Sequence, residues 1–279
     1  MAKAKKDKPK CRWQTLTDAL SVFALNAEGH QGSGHIRPLH WYVACRLVLE
    51  GGFLPDEVSP RPPFEVRRVG KRFLLAYLPD SGGGDERTVL GGLKTKNIDV
   101  VVAKDGVGPV VAISMKGTLN AFRNLTNRME EAVGDCTNMH IAYPALVYGF
   151  LHVLRGNREG DSESPNDVAI NDTGVSDSIL RYHDVMARLA GRNDVRDVTT
   201  KYEAVSIAVV DTRLGRIGVL VPEFPPAKSP LEFSLFFDQL YQQYDLRFVY
   251  AAPLLAKTTR RIAWDPDSPA LAELRSPEY

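Results

Sequence analysis

Two short apolar runs constrain this chain most: Asn97-Ile98-Asp99-Val100-Val101-Val102 and, soon after, Val110-Val111-Ala112-Ile113-Ser114-Met115-Lys116-Gly117. Both are rich in β-branched side chains and bounded by turn residues, the pattern of buried strands. The segment between them, Lys104-Asp105-Gly106-Val107-Gly108-Pro109, has the composition of a loop. A hairpin is therefore expected. Asp99 opens its first strand and Lys116 closes its second. Pairing the strands brings a carboxylate and an ammonium together at one edge of a sheet.

The residues that follow have helical spacing over 118–135. At about 100° per residue, Leu119, Phe122, Leu125, Met129 and Val133 share one face, which is expected to be buried. On that wheel Glu131 points to solvent. Glu130 lies on the flank, beside Arg123 and Asn127, where it can reach the end of the adjoining strand.

The rest of the chain reads as a mixture of helices and strands. Helices are expected over 12–27, from Pro38 to Glu50, from Ser178 to Ala190 and from Leu231 to Tyr244. Strands are expected at Phe64 to Val69, Arg72 to Leu78, Tyr143 to Leu154, Ala204 to Val210, Gly215 to Val221 and Arg247 to Ala252. The fold class expected is α/β, a mixed central β-sheet flanked by helices. One domain is expected over 1–279: a core at 36–222, a basic tail at 1–11 and a C-terminal helix with an irregular extension at 223–279. His30 and His35 lie in a Gly-rich turn with no Cys or carboxylate at ligand spacing, so they give no metal pattern.

Composition sets the outer bounds. The chain has 279 residues, enough for a sizeable core, and its 25% of charged residues argues against disorder. There is no apolar run of membrane-spanning length and no signal-peptide core. Cys11, Cys45 and Cys136 are too scattered for a disulfide framework or a zinc knuckle, so a reduced, cytoplasmic protein is expected. The formal net charge is only +1, yet basic residues gather locally. Lys94, Lys96, Lys104, Arg123 and Arg128 flank the two strands in sequence, Arg155 and Arg158 follow the next one, and Lys3, Lys5, Lys6, Lys8 and Lys10 form a basic tail. Positive charge around carboxylates suits a polyanionic substrate.

Asp99, the Ser114-Met115-Lys116 tripeptide and a helix glutamate beyond it resemble the PD-(D/E)XK nuclease superfamily, which includes most type II restriction endonucleases. The resemblance covers roughly residues 97 to 131, about an eighth of the chain. Asp99 matches the family's first Asp, although Asn97-Ile98 stands where Pro often precedes it. Ser114-Met115-Lys116 matches the (D/E)XK element but carries Ser in place of the acid. Some relatives have this SXK form and take the missing carboxylate from the following helix, twelve or thirteen residues on; Glu130 follows Lys116 with thirteen residues between.

The resemblance implies a restriction-endonuclease-like fold and a Mg2+-dependent, sequence-specific endonuclease acting on double-stranded DNA. Asp99 and Glu130 would hold Mg2+, with the Ile113 backbone carbonyl as a further ligand. Lys116 would act on the attacking water, and Ser114 would hydrogen-bond within the site. Relatives place an extra acid on their first core helix, where Glu50 is the matching residue. Asn120, Arg123, Asn124 and Asn127 on the helix's polar side are the DNA-contact candidates, since Arg and Asn read guanine and adenine edges. Palindromic targets imply a homodimer. The alternatives are a structure-selective or defence nuclease of the same fold, and a catalytically silent DNA-binding module.

Overall fold

The computed structural model describes residues 10–26, 34–222 and 224–273. His30 and the basic tail apart from Lys10 lie outside them. Helix α1 (Leu16–Leu25) starts where the Thr15 hydroxyl accepts the Asp18 N–H at 3.1 Å. Helix α2 (Arg37–Leu49) has Pro38 in its first turn, where no intrahelical N–H is needed, and buries nearly its whole length. A short strand β1 (Val58–Ser59) follows, then a hairpin of β2 (Phe64–Val69) and β3 (Arg72–Tyr77), and a second pair of β4 (Arg87–Leu90) and β5 (Thr95–Ile98).

The central sheet is then laid down. Strand β6 (Val100–Lys104) turns back into β7 (Gly108–Thr118), as the loop composition predicts, with Val100 opposite Ile113. Helix α3 (Leu125–Ala142) carries the chain to β8 (Val147–Arg155), parallel to β7. After a small hairpin of β9 (Ile170–Asn171) and β10 (Gly174–Val175), helix α4 (Asp177–Leu189) leads to β11 (Ala204–Val210), parallel to β8. Helix α5 (Phe233–Asp245) and the short α6 (Ala256–Thr259) and α7 (Pro269–Glu273) complete the chain. The sheet order is β1-β6-β7-β8-β11. The architecture is thus α/β with a five-stranded mixed sheet between helices, as expected.

Alternation along the strands separates two cores. Val111, Ile113 and Met115 face α1, α2 and α5, while Ala112, Tyr148 and Phe150 face α3 and α4. The layers pack closely at the end of β7, where a Cβ on Gly117 would stand 2.6 Å from the Phe23 ring and 2.9 Å from Ile36. That contact seats the start of α2 against the strand end that bears Lys116. Among the described residues no helix is long and apolar enough to cross a membrane.

Three expectations are corrected. The helix after β7 begins at Leu125, not 118, because β7 runs on to Thr118, Ala121 takes a left-handed φ of 59°, and Phe122–Asn124 form a 3-10 turn. Gly215 to Val221 forms no strand; only Leu220 bridges back to Val210. Arg247 to Ala252 is not a strand either, since α5 continues as a π-helical turn over Leu246–Tyr250. Its apolar residues Phe248 and Val249 are buried from a helix just as a strand would bury them, and a short apolar run does not separate the two cases.

Candidate metal centre and catalytic edge

Asp99 sits where the chain leaves β5 and enters β6. Strand pairing starts at Val100 opposite Ile113, so the Met115 N–H, two residues further along β7, has no strand partner from β6. The Asp99 carboxylate takes its place: Oδ2 accepts the Met115 N–H at 2.6 Å. This bond fixes Asp99 beside the strand end that carries Lys116. Burial pushes the Asp99 carboxyl up to about 6, against the opposing pull of the Met115 N–H, Lys116 and Lys96.

The other Asp99 oxygen, Oδ1, faces His40 of α2, whose Nε2 is 3.6 Å away. That separation is too long for a hydrogen bond. His40 is 2% exposed, and its Nε2 has no hydrogen-bond partner. Burial pushes its pKa down to about 4, so the imidazole is neutral near pH 7 with a lone pair to offer. Glu86, from the loop before β4, joins them: ligand atoms of His40, Glu86 and Asp99 lie within 4.8 Å of one another. They border a cleft of about 300 Å3 walled also by Arg37, Trp41 and Asn97. An unpartnered buried nitrogen and two carboxylates form a donor set that fits a divalent cation.

Lys116 donates to Glu131 Oε1 at 2.5 Å, and Arg128 donates to Glu131 Oε2 at 3.0 Å. Burial pushes the Glu131 carboxyl up, but the Lys116 and Arg128 hydrogen bonds and charges outweigh it and hold it below the usual carboxylate range. A second cleft of about 270 Å3 is lined by Thr118, Asn120, Asn124 and Arg128 with His35.

The helix register therefore reverses the expectation for the two neighbouring glutamates. Glu130 is exposed, and Glu131 meets the strand. The buried face of α3 is set by Ala132, Asp135, Cys136 and Met139. Leu119 and Phe122, which anchored the expected face, precede the helix. The observed buried face is centred roughly a quarter of a turn from the expected one at about 100° per residue, and most of that rotation comes from the buried polar residues of the helix. Asp135 is buried because Lys96 pairs with it, a polar contact that a wheel of apolar residues does not register.

The remaining candidates divide. Ser114 is buried, with its Oγ 2.7 Å from the Tyr148 hydroxyl. Ile113 lies inside the sheet between Val100 and Gly149, with its side chain on the α1–α2 side. Glu50 does not join Asp99. It stands at the other end of α2 from His40, about 15 Å of helical rise away, and Arg46 holds it in a bidentate pair. Asn120 precedes the helix and accepts from Asn157 at 3.0 Å, Arg123 and Asn124 lie exposed on the 3-10 turn, and Asn127 is exposed in the first turn of α3. Lys104 is remote from this edge, buried against Glu57 at the far end of β6. His40 and Glu86 escaped the sequence reading. A histidine inside an apolar helix was the one available signal, and its partners come from segments far apart in the chain.

Comparison with protein-family models, curated proteins and solved structures returns no match. The functional reading accordingly rests on the geometry of the chain and on the motif resemblance.

Proposed function

We propose that the chain is a divalent-metal-dependent, sequence-specific DNA endonuclease of the restriction type, with Mg2+ the ion implied by the motif resemblance. The observation that carries this reading is the Asp99–Met115 hydrogen bond, which ties a half-buried carboxylate to the strand end bearing Lys116. Hydrolysis of a phosphodiester needs a hard-cation ligand and a positive charge beside the attacked phosphate, and this edge offers both.

In this reading Asp99 is the principal metal ligand, and Glu131 rather than Glu130 is the helix glutamate at this edge, acting on Lys116 and not on the ion. A bound ion supplies polarisation of the phosphoryl oxygen and a more acidic water. Glu131 and the strand backbone hold the Lys116 ammonium in place, so that its charge is available where negative charge develops. Arg128, Arg123, Asn124 and Asn127 form the adjoining surface toward double-stranded DNA, the first two by charge and the others by hydrogen bonding to base edges or phosphates. A homodimer on a palindromic target is part of the same proposal.

The test is cleavage of plasmid DNA by the purified protein with Mg2+, abolished by EDTA. Discrete fragments are expected, and a smear would replace sequence specificity with the loose-specificity alternative. Tight DNA binding without cleavage under any divalent cation would replace the enzyme with a silent binding module.

A further inference from the structure

We infer that His40, Glu86 and Asp99 form a cation seat with an imidazole ligand, and that it prefers a first-row transition cation, represented by Mn2+, over Mg2+. The inference shares Asp99 with the nuclease reading and deepens it. Its own basis is the geometry around His40, which that reading does not use.

A buried side-chain nitrogen without a partner is costly and calls for a reason. His40 Nε2 is such an atom. It is held by a helix buried along nearly its whole length, so it has little freedom to turn away. It faces Asp99 Oδ1, the oxygen left over after Oδ2 has taken the Met115 N–H. Glu86 supplies a second carboxylate from a different segment, and the three ligand atoms lie within 4.8 Å of one another. Two ligands on opposite sides of one ion stand about 4.2 Å apart at metal–ligand distances of about 2.1 Å. Closing on an ion therefore asks for only a small side-chain adjustment. The cleft of about 300 Å3 leaves space for water ligands.

The donor set decides the metal class. Mg2+ takes oxygen ligands and gives up water reluctantly, so a fixed imidazole offers it little. Imidazole suits first-row transition cations better than Mg2+; Mn2+ is the weakest binder of that series, yet it accepts nitrogen and carboxylate donors together, as one imidazole with two carboxylates requires. The inward edge of the same seat holds Asp99 beside Lys116, so an ion here lies next to the edge assigned to chemistry.

Mn2+ titration of the full chain, followed by electron paramagnetic resonance, tests this with a readout separate from cleavage. The expected result is saturable binding, echo modulation from a coordinated imidazole nitrogen, and displacement by Mg2+ only at large excess. In His40→Gln the nitrogen modulation should vanish and the Mn2+ affinity fall by about tenfold or more, with Mg2+ affinity little changed. Glu86→Gln, a change on a loop, should weaken both ions and guards against a folding defect in the His40 variant. Mn2+ bound without imidazole modulation, or no saturable binding, would overturn the inference. The two readings fail separately. Imidazole-bound Mn2+ in a protein that never cuts DNA sinks the nuclease and leaves the seat, whereas Mg2+-driven cleavage without imidazole coordination does the reverse.

Discussion

Lys116 and Glu131 are joined by a 2.5 Å hydrogen bond that ties the end of β7 to the second turn of α3. Both side chains are about one-third exposed, at 29% and 34%. A pair this accessible contributes at most about 1 kcal/mol to stability. Under the proposed function, its place at the Asp99 edge gives it a larger part in cleavage than in stability.

The two adjacent glutamates should therefore separate cleanly. Glu131→Ala is expected to lower DNA cleavage by about a hundredfold or more, comparable to removing one preorganised charged group from an active site, while moving the urea midpoint little. Glu130→Ala should be close to silent in both measurements. Single-turnover cleavage of a supercoiled plasmid checks the contrast. A larger effect at Glu130 would show that this helix register does not hold in the active protein the proposal describes.

Ser114 makes a different prediction, about the core. Its Oγ and the Tyr148 hydroxyl are buried together at 2.7 Å. Ser114→Ala leaves the tyrosine hydroxyl without that partner, at a cost of about 1–3 kcal/mol, whereas Ser114→Ala with Tyr148→Phe removes both polar groups and should recover much of it. Urea unfolding of the two singles and the double reads the coupling. Ser114→Glu, the replacement that would restore the acid to the strand, pushes a carboxylate into this buried space and is expected to destabilise further than Ser114→Ala. Additive single losses would mean that the two hydroxyls do not depend on each other.

Stability near neutral pH follows from the buried histidines. Burial first, then Arg128 and Lys116, push His152 down to about 3, and burial pushes His40 down to about 4, both from 6.5. The unfolded chain then takes up these protons first, so their contribution is complete above pH 6.5 and falls as pH drops below it, by about 1.4 kcal/mol per pH unit for each histidine. Asp99 has the opposite sign. Its folded pKa of about 6 lies above the ordinary 3.8, so the native state binds that proton first and regains stability as pH falls below 6. Net stability should decline steeply from pH 6.5 to 6 and about half as steeply from 6 to 5. Urea midpoints across this range, with ring resonances of both histidines unmoved above pH 5, are the measurements. Stability that rises on acidification would refute the assignment of neutral buried imidazoles.

The parts legible in the sequence share a physical cause. The β6–β7 hairpin was written in valine-rich runs around a glycine loop, and β8 and β11 in apolar runs of strand length, because strands buried on both faces need continuous apolar side chains. Asp99 and Lys116 were legible because a hairpin fixes which residues share an end. An apolar wheel misplaces Glu131 chiefly because Asp135 and Asn138 are buried by pairing with Lys96 and with the loop before β5. His40 and Glu86 meet Asp99 only through tertiary packing of α2 and the loop before β4. No local period announces such a contact.

Chemistry and DNA affinity should come apart between Lys116 and Arg123. Lys116 is half-buried at the strand end, engaged by Glu131, and close enough to Asp99 to oppose the burial that raises the Asp99 pKa. Arg123 is exposed on the turn before α3, beside Asn124. Lys116→Met is expected to stop cleavage while leaving DNA affinity within about threefold of the parent, because one phosphate contact among several changes binding modestly. Arg123→Ala should weaken binding across sequences and reduce the slope of log affinity against log salt by about one, the loss of one released counterion. If Arg123 instead reads a guanine edge, the loss is about 1–3 kcal/mol on the cognate site and the salt slope stays nearly unchanged. Fluorescence anisotropy at several salt concentrations, on specific and random duplexes in Ca2+, distinguishes the two. Unchanged binding and unchanged salt slope in Arg123→Ala would remove this turn from the DNA surface and leave Arg155 and Arg158, at and just beyond the end of β8, as further basic residues near this end of the sheet.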